Sequence, residues 1–109
     1  AGEIVTEVIL PPAPAGMRST YRKVRERGSW DFAIASVAVA VSAPRNARIV
    51  LGAAAMTPWR SAEAEKAYAS GAAPAQVAEA AVANAQPMDK NGYKVPLFRG
   101  TVEEVLLKL

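Results

Sequence analysis

Of the residue types that do acid, base, nucleophilic or metal chemistry, this chain of 109 residues contains few, since histidine and cysteine are both absent. That excludes Ser-His and Cys-His nucleophilic pairs, thiolate metal sites, disulfides and the commonest general base. The ten Asp and Glu residues show no clustered spacing that would hold zinc or iron through carboxylates alone. What remains is cationic. Arg18, Arg22, Lys23, Arg25 and Arg27 carry most of the net charge of +3 within one short run. A bias this local describes one basic surface and does not by itself specify nucleic acid. No residues form a self-contained catalytic constellation.

The element that positions these cations is the stretch from Tyr21 to Val41, YRKVRERGSWDFAIASVAVAV. Read as a strand from Arg18 to Arg27, it projects Tyr21, Lys23, Arg25 and Arg27 together and turns Arg18, Arg22 and Val24 the other way. A helix is the competitor, but through Arg22–Arg27 it would have almost nothing apolar to bury. Gly28-Ser29 breaks the run and Trp30-Asp31-Phe32 turns the corner. From Phe32 to Ser42 the alanines suit either state. Val37, Val39 and Val41 alternating with Ser36, Ala38 and Ala40 favour a buried strand.

The flanking segments extend this pattern. Gly2–Leu10 alternates and ends at Pro11-Pro12, predicting a strand with Ile4, Thr6, Val8 and Leu10 on one face and Glu3, Val5, Glu7 and Ile9 on the other. PPAPAG then forms a stiff linker closing near Gly16. Beyond the turn Ala43-Pro44-Arg45-Asn46, Ala47–Ala55 is the returning strand of a hairpin, with Gly52 a bulge or a point of close approach. Four strands joined by short loops imply an antiparallel sheet.

After Thr57-Pro58-Trp59 the period becomes helical. Ser61 is an N-cap, Glu63 and Glu65 suit the first turn, and Gly71 stops the helix. Pro74 opens a second helix with Val77, Ala81, Val82 and Ala85 as its apolar stripe before Pro87. A third carries Phe98, Val102, Val105 and Leu109 on one face, with Pro96 in its first turn or at a kink. The fold class is therefore α+β: an antiparallel sheet of three to four strands followed by three helices packed on one face, as one domain over 1–109. Such a length buries roughly two thirds of the surface of the unfolded chain.

About half the residues are hydrophobic, at 51%, but no apolar run approaches the roughly 18 residues of a membrane span. The start AGEIVTEVIL lacks a basic leader and a cleavable apolar block, so a cytoplasmic, soluble protein is expected.

Four segments in order, EIVTEVILP at 3–11, YRKVRERGSWDFAIASVAVAV at 21–41, ARIVLGAAAMTPWR at 47–60 and KNGYKVPLFRGTVEEVL at 90–106, resemble the C-terminal domain of the flavoprotein (medium, FAD-binding) subunit of molybdenum hydroxylases, the carbon monoxide dehydrogenase and xanthine dehydrogenase family. The resemblance implies an oxidoreductase part. In this family the domain follows two upstream subdomains that hold most of the FAD and closes over the flavin from one side. The subunit passes electrons between an iron-sulfur subunit and an external acceptor, and molybdopterin sits in a third subunit. Lys23 matches the family's flavin-contacting lysine, and Val5 an aliphatic position near the cofactor. A cation there would stabilise an anionic reduced flavin at its N1/C2 carbonyl edge, or the diphosphate. The family's glycine-rich pyrophosphate loop lies upstream of the matching region, so this chain alone is expected to bind FAD weakly or not at all and to contribute no acid, base or nucleophile. The GSWD corner resembles the bacterial carbon monoxide dehydrogenase branch more than the xanthine dehydrogenases.

From the residues alone, Lys23 reads equally as a solvated charge on an exposed strand, and Arg25 and Arg27 as surface charges or contacts to a neighbouring domain. Trp30, Trp59 and Tyr93 read as packing or interface anchors. Two rival functions follow: a structural docking or dimerisation domain without cofactor contact, and a nucleic-acid module in which the basic strand tracks phosphates while Tyr21 and Trp30 stack on bases. Acidic helices and the near-balanced charge weigh against the latter.

Overall fold

The computed structural model describes residues 2–109. Its sheet is a meander of β1 (Arg18–Val24), β2 (Ala35–Ala43), β3 (Asn46–Gly52) and β4 (Trp59–Arg60), in that spatial order. All neighbouring pairs are antiparallel. Three helices follow: α1 (Ala62–Ala69), α2 (Pro74–Val82) and α3 (Lys94–Leu107). The expected α+β architecture is the observed one.

Register explains which face became the core. Val37 pairs with Leu51, Val39 with Ile49 and Val41 with Ala47, so these six side chains share one face, and all six are buried. Against them lie Ala64 of α1 and Phe98, Val102, Val105 and Leu106 of α3, while Val77 and Ala78 of α2 fill the space between the other two helices. β-Branched residues hold their rotamers on such a pleated surface at small entropic cost.

The helix boundaries follow from local chemistry. The buried Ser61 hydroxyl accepts the Ala64 N–H at 3.3 Å, satisfying one otherwise unpaired donor of α1. At the other end Gly71 has φ +85°, and the N–H groups of Gly71 and Ala72 donate to the carbonyls of Tyr68 and Ala67. This paired closure needs a left-handed residue after the helix, which glycine supplies without strain. Pro74 is the first residue of α2 and Pro96 the third of α3, both within the first turn where a missing N–H costs nothing. On α3, Glu104 takes a hydrogen bond from Lys108 and lies 3.6 Å from Arg22 of β1. The Lys108 hydrogen bond holds the Glu104 carboxyl below the usual carboxylate range, desolvation opposing it, and the Lys108 and Arg22 charges add to the lowering.

Several expectations are corrected. No strand forms over Gly2–Leu10, and Ile4, Val5, Val8, Ile9 and Leu10 are all exposed. Alternation provides a face to bury, but the segment pairs with no strand among the described residues and its side chains stay in solvent. The basic strand ends at Val24, not Arg27, and the next begins at Ala35, not Phe32. Asp31 organises the intervening loop instead. The bulge falls between Val41 and Ala43, while Gly52 is the close approach: a Cβ there would meet the Ser36 hydroxyl at 2.3 Å. α2 ends at Val82, short of Ala85, and α3 at Leu107, short of Leu109. The fourth strand is the two-residue Trp59–Arg60.

Candidate functional site

The face of the sheet away from the helices carries the site. Register puts Ser19, Tyr21 and Lys23 of β1 opposite Ala40, Ala38 and Ser36 of β2, and those in turn opposite Arg48, Val50 and Gly52 of β3. The middle row is therefore small side chains, with Ser36 itself buried. At one end of this face Lys23, Ser36 and Gly52 form a row across three strands, with a cation at one side, a hydroxyl in the middle and no side chain at the other.

Lys23 is half-buried, and its ammonium donates to the Asp31 carbonyl at 2.7 Å. The contact fixes the ammonium over the sheet end. One acceptor uses one of its three N–H groups. Asp31 also shapes the loop from Arg25 to Ile34: its carboxylate accepts the backbone N–H of Arg27 at 3.1 Å and of Phe32 at 2.9 Å. Arg27 in turn donates to the Trp30 carbonyl at 2.8 Å. Trp30 has φ +50°, an uncommon conformation for a bulky residue that persists where surrounding bonds over-determine it. The result is that Trp30 and Phe32 stand in solvent at 94% and 92% exposure beside the cation.

The expected site residues are thus not brought together. Lys23 lies on the open face, as alternation predicts, whereas Val5 lies in the unpaired N-terminal segment at 83% exposure. The grouping of Tyr21 with Lys23 on one face is found; Arg25 and Arg27 have left the strand.

Sequence reasoning also missed a carboxylate. Glu65 Oε1 accepts the Ile49 backbone N–H at 3.1 Å and Arg60 Nε at 2.8 Å, while Oε2 takes Arg60 at 2.6 Å and Arg48 at 3.3 Å. The Ser61 N–H donates to the Ile49 carbonyl at 2.9 Å. Together these close the sheet edge just past the short β4 and neutralise two arginines. The only available signal was Glu65 four residues after Ser61, which reads as a first-turn charge and not as a cross-element ligand.

Among the described residues there is no group of three or more His, Cys, Asp or Glu side chains suited to a metal, and no helix is long and apolar enough to cross a membrane. An α+β domain with one helix-covered face and one open, cation-bearing face is the class these features define.

Residues 19–108 match the family described as the CO dehydrogenase flavoprotein C-terminal domain. The chain is 38% identical over 105 residues to the aldehyde oxidoreductase FAD-binding subunit PaoB of Escherichia coli (strain K12), covering 96% of this chain and 32% of that protein. Among solved structures it resembles carbon monoxide dehydrogenase from Hydrogenophaga pseudoflava, in a form lacking the Mo-pyranopterin moiety of the molybdenum cofactor, with TM-score 0.77 and 28% identity over 90% of this chain and 38% of that one. Quinoline 2-oxidoreductase from Pseudomonas putida 86 shares the fold, with TM-score 0.73 and 24% identity over 89% of this chain and 38% of that one. The chain belongs to the CO dehydrogenase flavoprotein C-terminal domain family. It spans about a third of the length of the curated relative it matches, at 32%.

Proposed function

We propose that this domain completes an FAD pocket in the flavin subunit of a molybdenum hydroxylase, whose upstream part supplies the pyrophosphate site. Bound FAD supplies the exchange of electrons between iron-sulfur centres and an external acceptor. The chain's own contribution is electrostatic and steric. Lys23 presents a charge to the flavin, and Val5, on a segment that packs against the upstream part, adds an aliphatic wall. Partner subunits carrying iron-sulfur clusters and molybdopterin, and a cytoplasmic location, belong to the same reading.

The observation that carries it is the position of Lys23. It stands on the face free of helices, its ammonium bonded to the Asp31 carbonyl, beside a row in which Ser36 and Gly52 carry no tall side chain. These residues fit a planar, partly anionic group: a held cation needs little reorganisation to stabilise charge, and an isoalloxazine needs a surface without tall side chains. A phosphate-tracking surface is less well supported, because Arg22 turns to Glu104 and Arg48 and Arg60 to Glu65.

Lys23→Met in the full-length flavin subunit tests this. The expected outcome is weaker FAD retention and a two-electron flavin midpoint potential lowered by about 20 mV or more, the scale of a charge contact worth roughly 1 kcal/mol. Unchanged retention and potential would leave a docking role without cofactor contact.

A further inference from the structure

On the helix side of the sheet, at the end where β3 leaves for the 53–58 loop, is a cavity of about 270 Å³. Its floor is core: Leu51, Val82 and Phe98, all buried. Trp59 and Val95 form walls, and Trp59 as a residue remains 52% exposed, so it borders the opening.

The rim is polar and its donors are identifiable. Lys94, the first residue of α3, donates from Nζ to the Ala53 carbonyl at 3.0 Å. This bond ties the 53–58 loop to the helix, and Ala53 itself is held at φ +61°, a conformation alanine adopts only under constraint. The ammonium keeps two further N–H groups. Asn91 accepts the Met88 N–H at 2.7 Å through Oδ1, which fixes the amide and presents its Nδ2 as a donor. Glu63 also lines the cavity, so the rim carries one carboxylate beside these two donors.

We propose that this cavity is a binding site for a small aromatic carboxylate: the ring on the Leu51–Phe98 floor against Trp59, the carboxylate at the Lys94 ammonium and the Asn91 amide. An apolar pocket with a few convergent polar groups is the usual build of a small-molecule site. Charge complementarity chooses the ligand. An ammonium with N–H groups beyond the one given to Ala53 and an oriented amide donor recognise an anion, and a carboxylate forms charge-assisted bonds with both. The site lies on the opposite face from Lys23 and does not depend on the flavin reading.

Benzoate is the probe, titrated into the 109-residue chain carrying Trp30→Phe, so that Trp59 fluorescence reports the cavity. Saturable quenching is expected at a Kd on the order of 1 mM or tighter, with benzyl alcohol at least about tenfold weaker. Lys94→Met should remove that difference by weakening benzoate alone, and Lys94→Glu should reverse it in favour of benzylammonium, both with the circular dichroism of the parent. No saturable response to benzoate, equal quenching by acetate, tighter binding of benzylammonium by the parent, or unchanged benzoate affinity in Lys94→Met would each overturn the proposal.

Discussion

Two aliphatic, alternating stretches of this molecule meet opposite fates. The β2–β3 hairpin places Val37, Val39 and Ile49 at 0%, 1% and 0% exposure, whereas Ile4, Val5 and Ile9 stand at 88%, 83% and 79%. Their side chains are of the same kind. The difference is a partner: β2 is bonded on both edges and covered on one face by α3, while residues 2–10 have neither neighbour nor cover. Apolar surface stabilises a fold only when something removes it from water, at roughly 25 cal/mol per Å².

The contrast is easiest to break at Ile49. Replacing it by Ala should cost about 2–5 kcal/mol in urea denaturation, through lost burial and the cavity left between β3 and the helices; a loss below about 1 kcal/mol would mean that the hairpin core collapses around the gap. Glu65→Ala comes next. It strips the Ile49 N–H of its acceptor and leaves Arg48 and Arg60 unpaired, so a loss of about 1–3 kcal/mol is expected, most of it from the backbone donor. Glu65→Gln, which keeps one acceptor, should recover part of that loss. The smallest effect belongs to Ile9→Ala, within about 0.5 kcal/mol in this chain. A larger loss would show that residues 3–10 are packed in solution, and the same change in a full-length subunit should cost more than in the isolated chain if the upstream part covers it.

Legibility in the sequence follows the same division. Alternation placed Lys23 and Tyr21 on one face correctly, because the register of a half-buried sheet is set by which side chains enter the core. Ser61, Gly71, Pro74 and Pro96 marked helix ends because their chemistry acts within one turn. Residues 2–10 misled because a strand pattern states a preference and not a partner. β4 was invisible since two residues carry no period, and its formation depends on β3 lying alongside. The Glu65 contacts to Arg48 and the Ile49 amide rest on groups that meet only after folding, so they have no local signature, whereas the Asp31 bonds to Arg27 and Phe32 are local and lay inside a stretch read as a corner. The flavin role proposed for Lys23 rests on family resemblance, and alternation contributed only the direction of its side chain.

The closed margin beside β3 has a further consequence. With the Ile49 amide and carbonyl taken by Glu65 and Ser61, β3 offers no ladder group at that position, and the longer open edge is that of β1. There a newcomer meets Arg18, Arg22 and Lys23, and a second copy would bring the same positive charges to the seam. Strand stacking is thus opposed by like charge at the longer open edge.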